Sequence, residues 1–169
     1  MERRDRGAGR LTRLALLTAI ALTIFLVEAK LPAAPIPGVK LGLANIVTVY
    51  AVFVLGPWDA LMILCARVFL GAVFSGQMMT LIYSAAGGLL SWCALCLLRR
   101  LLSRDQMWVA SPVAGVCHNV GQLLAAAAVM RTWAVMAYLP YLVIAGVAAG
   151  LFTGVAAQAL VNRLDRRKL

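Results

Sequence analysis

Residues 40–77, KLGLANIVTVYAVFVLGPWDALMILCARVFLGAVFSGQ, decide how the chain reads. They hold two apolar runs separated by Gly56-Pro57, a pair that stops one helix and starts another. Each run reads as a bilayer crossing, the first of them short. Arg67 stands alone in the middle of the second run. A charge at that depth costs about 2.5–3.5 kcal/mol on insertion scales. It requires a partner, a wet cavity or an anionic ligand.

The whole chain has the same character. Of its 169 residues 63% are hydrophobic, and the mean hydropathy is +0.92. Soluble domains hold about 45–50% apolar residues. The excess exceeds what one core of this size can bury, so lipid is the expected solvent for much of the surface. The apolar runs are continuous rather than alternating, which predicts helices and not a barrel. The net charge of +10 raises nucleic acid as a partner, but the basic residues sit beside apolar runs at the chain ends and in one loop. That distribution is a topology signal and excludes a nucleic-acid footprint.

The sequence predicts an all-α, single-domain bundle of six transmembrane helices. Residues 1–10 read as a disordered basic head. Spans follow at about 11–31, 41–55, 58–74, 78–98, 107–130 and 135–161. The first run also fits a signal peptide with a poor cleavage site at Val27-Glu28-Ala29; five further spans favour an uncleaved helix. A loop at 32–40 carries three prolines. With both termini on one side, that side holds Arg3, Arg4, Arg6, Arg10, Arg13, Arg99, Arg100, Arg104, Arg163, Arg166, Arg167 and Lys168. The other holds Lys30, Lys40 and Arg131. The asymmetry places both termini in the cytoplasm of a multi-pass protein of the cell membrane.

Candidate site residues are the polar ones at depth. His118, Asn119 and Gln122 lie mid-span at i, i+3 and i+4 spacings and read as one face. They are expected to meet Arg67 across an interior. Two readings stand: hydrogen bonds that only hold helices together, or a polar cavity for a substrate. Arg67 likewise pairs with Glu28 and is structural, or is open to a carboxylate or phosphate that its fork fits. Asp59 is too far along its own helix to serve it. Asn45 lies one turn inside the second span, near the outer mouth with Glu28. Gly146, Gly150 and Gly154 form a ladder for close helix approach, as do Ala15 and Ala19. Cys65, Cys93, Cys96 and Cys117 read as small buried hydrophobes. With one histidine, no metal site is expected, and no cofactor motif is present. No P-loop occurs, and no Asp-rich motif of the kind that binds magnesium diphosphate, so no catalytic set is expected.

Four stretches resemble a known family: PGVKLGLANIVTVYAVFVLG at 37–56, ARVFLGAVFSG at 66–76, YSAAGGLLS at 83–91 and GVCHNVGQL at 115–123. They are similar to small bacterial membrane proteins called Gx transporters, or heptaprenyl diphosphate synthase component I. That family in turn looks like the substrate-binding S components of energy-coupling factor (ECF) transporters. The resemblance implies six helices with both ends inside and a small-molecule ligand taken from outside. It implies a transmembrane T component docking at Ala15 and Ala19, and partner ATPase subunits. It equally leaves open a non-catalytic accessory role in isoprenoid or quinone metabolism, or in quinone-linked electron transfer.

Overall fold

Gly56 and Pro57 divide the chain as their chemistry requires. Gly56 takes φ +121°, a conformation that favours glycine, and Pro57 occupies the first turn of the next helix, where no N–H is needed. The computed structural model describes residues 2–28 and 42–166, with side chains from residue 7 onward in the first segment. Lys30, Lys40, the proline-rich stretch and the last three residues lie outside the described residues. Among the described residues there are six α-helices: α1 (Glu2–Glu28), α2 (Asn45–Val54), α3 (Pro57–Ser75), α4 (Met78–Leu98), α5 (Met107–Met130) and α6 (Leu139–Arg166). Short 3₁₀ turns at Arg104–Gln106 and Trp133–Tyr138 lead into α5 and α6.

Five of these helices are long and apolar enough to cross a membrane. The sixth, α2, is not. Ten residues at about 1.5 Å each give about 15 Å, half of a hydrocarbon core of about 30 Å. The expected span at 41–55 is therefore corrected to a short helix. Its apolar run has another cause: α2 packs against all five other helices. Val47, Val49, Ala51, Val52 and Phe53 are buried on every side of it. The outer surface of the long helices is apolar, with Trp58, Phe69, Phe74, Ile144 and Phe152 all exposed. On helices of this length and hydropathy, such a surface is suited to lipid. The protein is a multi-pass membrane protein.

Two further expectations change. The head at 1–10 is not set apart: α1 begins at Glu2 and runs on without a break. No proline interrupts it, and Arg10 in its N-terminal part donates to the Asp59 carboxylate of α3 through Nε and Nη2. Asp59 is thus engaged away from Arg67. The cysteines also differ from expectation. Cys65 and Cys93 face outward, while Cys96 and Cys117 are half-buried, and all four are free.

The glycine ladder of α6 closes on α5. A Cβ on Gly150 would lie 2.5 Å from Pro112 Cα, and one on Gly154 2.7 Å from Ser111 Cβ. Gly146 meets Gly115 backbone to backbone. Polar rungs cross the same seam. Gln158 accepts from the Met107 N–H at 3.1 Å, the Ser111 and Thr153 hydroxyls share a bond of 2.9 Å, and Asn119 Nδ2 donates to the Leu142 carbonyl at 2.7 Å. Hydrogen bonds between membrane helices contribute only about 0.6 kcal/mol each. Ser111→Ala is accordingly expected to cost under about 1 kcal/mol in denaturant titration, because the close glycine packing remains. A larger loss would mean that the rungs, not the glycines, hold the seam.

Candidate ligand-binding site

Four helices bring polar side chains into one buried region. Glu28 closes α1, Asn45 opens α2, Arg67 lies midway along α3 and His118 midway along α5; none is more than 4% exposed. Gly42 joins them. Its N–H donates to Glu28 Oε1. Its φ of +83° suits glycine, and a Cβ there would lie 2.8 Å from His118 Cδ2 and 3.0 Å from Asn45 Nδ2. The missing side chain lets the imidazole and the carboxamide close onto the main chain. Gly87 of α4 does the same from another direction: a Cβ there would lie 3.1 Å from His118 Cε1 and 2.7 Å from Gln122 Cγ. His118 is held between two glycines, one in the segment before α2 and one in α4.

Arg67 completes the region. It lies within coulombic reach of both Glu28 and His118. Its Cζ stands 6.0 Å from the centroid of the Phe25 ring. Gly71, one turn further along α3, makes room for that ring: a Cβ on Gly71 would lie 2.5 Å from Phe25 Cε1. A cation over an aromatic face gains about 0.5–2 kcal/mol but leaves the N–H groups unsatisfied. Among the described residues, Arg67 Nε and Nη2, His118 Nδ1 and both amide atoms of Asn45 have no hydrogen-bond partner. Each buried orphan costs about 1–3 kcal/mol. A protein tolerates several together where something else satisfies them.

The polar row on α5 is divided. Residues 118 and 119 lie about 100° apart on a helix. His118 and Gln122 lie against Gly87 of α4, whereas Asn119 turns to α6 and ties to Leu142. Asn119 is buried and near the others in sequence, but its amide nitrogen serves the helix seam. Ala15 and Ala19 are elsewhere. They are exposed in an apolar groove of about 420 Å³ between α1 and α3, with Thr18, Leu22, Met62 and Ala66. No group of metal-ligating side chains occurs among the described residues. Sequence reasoning missed Gly42, Gly87 and Phe25. A glycine between two leucines and a glycine pair inside a span were the visible signals for the first two; Phe25 gives none.

No curated protein and no solved structure matches the chain. The family described as heptaprenyl diphosphate synthase component I matches residues 17–160, most of its length. That description names one component of a synthase with more than one component. The chain belongs to the heptaprenyl diphosphate synthase component I family.

Proposed function

We propose that this chain is the substrate-binding subunit of an ECF-like uptake transporter for a small polar or anionic ligand. The observation that carries this reading is the set of unsatisfied polar atoms, Arg67 Nε and Nη2, His118 Nδ1 and both amide atoms of Asn45, buried from three helices beside Glu28. Single orphans occur elsewhere, at Ser91 Oγ and Asn119 Oδ1, but here several meet from three helices, and their combined cost calls for an occupant that satisfies them. Both termini face the cytoplasm, as the distribution of Lys and Arg favours. The ligand enters from the opposite side. Gln122 lines the region from α5, and Asn119 holds α5 in place against α6. A T component docks in the groove at Ala15 and Ala19, and its ATPase partners supply the energy, since this chain has no P-loop.

Two measurements test this. Purification from native membranes is expected to recover ATPase and T-type subunits, and Ala15→Leu with Ala19→Leu is expected to release them. Arg67→Ala is expected to fold and to lose the copurifying ligand seen by native mass spectrometry. Removing a buried charged partner costs about 2–5 kcal/mol, so affinity falls at least about thirtyfold. Loss of folding alone would make Arg67 structural and remove the proposal.

The family description favours a second reading: a non-catalytic membrane accessory subunit in isoprenoid or quinone metabolism. It predicts copurification with a prenyl synthase and none with an ATPase.

A further inference from the structure

The proposed binding role leaves the ligand's chemistry open, and the particular atoms left unsatisfied narrow it. Arg67 Nε and Nη2 are the orphans, and Nη1 is not among them. Nε–H and the adjacent Nη2–H point the same way along one edge of the guanidinium. They form the side-on fork that matches two oxygens of a carboxylate or phosphate. The aromatic ring of Phe25 stands over one face of the guanidinium and leaves the in-plane N–H groups of that edge without a partner. Nearby, Asn45 leaves both an acceptor and a donor unsatisfied, and His118 leaves Nδ1. A carboxamide with both ends open matches a neutral group that donates and accepts, as a hydroxyl or amide does.

We infer that the site takes a small hydroxylated or amidated oxyacid, its carboxylate or phosphate held side-on by Arg67 Nε and Nη2 and its neutral polar group by Asn45 and His118. This rests on the binding-subunit reading. Gly71 is the positioning residue, because the Phe25 ring occupies the space its side chain would fill.

The test uses the full chain in phosphatidylcholine nanodiscs and follows melting temperature against four probes: acetate, lactate, inorganic phosphate and glycerol phosphate. A saturable rise is expected with the hydroxylated member of at least one pair, tighter than with its plain partner. Arg67→Lys keeps the charge but not the fork and is expected to weaken binding at least about tenfold, the loss of one charge-assisted bond. Asn45→Asp keeps the arginine, places a negative charge beside the site, and is expected to weaken binding as well. Should Arg67→Lys fail to fold, Asn45→Asp carries the test. The same shift obtained only in phosphatidylglycerol nanodiscs, and removed by the same variants, identifies a lipid headgroup as the source of the oxyanion and supports the inference. An unchanged response in both variants overturns it. So does a neutral molecule found bound by native mass spectrometry, lost in His118→Ala and indifferent to Arg67→Lys; that result leaves the binding-subunit reading standing. No response and no bound molecule overturns both.

Discussion

Gly150→Val is expected to force α6 away from α5 and to cause a large loss of stability. A Cβ at Gly150 would lie 2.5 Å from Pro112 Cα, 2.7 Å from the Ser111 carbonyl oxygen and 2.9 Å from Pro112 N. All three are main-chain atoms and cannot swing aside as a flexible side chain would. Overpacking a core costs about 1–3 kcal/mol when side chains absorb it. Here the backbone must move, so the upper end, about 3 kcal/mol, is the expected minimum. For a chain of this size that is a fall of about 6–12 °C in melting temperature. The seam's hydrogen bonds go with it, because Ser111 and Thr153 meet one turn away. Gly7→Ala is the control, since a Cβ there meets nothing within 4 Å. If Gly150→Val melts with the parent protein, the close packing of α5 and α6 is wrong.

Gly42→Ala is expected to strike the site more than the scaffold. Alanine at φ +83° leaves the comfortable region, at about 1–2 kcal/mol. Its methyl would collide with the His118 ring edge at 2.8 Å and with Asn45 Nδ2 at 3.0 Å. Both are side-chain atoms, so they give way, and in giving way they leave the positions from which the proposed ligand would be held. A displacement of about 1 Å costs about a hundredfold where orientation decides binding or reaction. Retention of the copurifying ligand is therefore expected to fall at least tenfold while the melting temperature falls less than for Gly150→Val. His118 is the only histidine in the chain, so its imidazole NMR resonances report the displacement without ambiguity. Unmoved resonances in Gly42→Ala would remove Gly42 from the site.

Much of this was legible in the sequence, and the failures have physical causes. Long apolar runs gave five helices with the right turns, because Gly56-Pro57 and Ser75-Gly76 are breaks that no packing overrides. The run expected to be a short crossing is a helix of ten residues, below the length that spans a bilayer. A helix apolar on all faces is surrounded either by lipid or by protein, and hydropathy does not distinguish the two. Depth found Arg67 and His118, since a charge and an imidazole inside apolar runs are visible without coordinates. Which way Asn119 turns was not visible. One residue of offset sends it to α6 and leaves His118 with α4. Gly42 was hidden because its role depends on a ring from a helix 76 positions later.

The way the helices are fastened has a mechanical result. Through their glycines, α4, α5 and α6 mesh backbone on backbone, whereas α1 leans on α3 and α2 and leaves an open furrow beside α3. The α5 side of the candidate site, His118 and Gln122, is therefore mounted on a stiff keel. Its α1 side, Phe25 and Glu28, rides on a helix with fewer ties, while Arg67 and Asn45 lie between them on α3 and α2. Any rearrangement that accompanies ligand capture is expected to be carried by α1. Amide hydrogen exchange should be slowest along α5 and fastest along α1, with ligand slowing α1 and leaving α5 as it was.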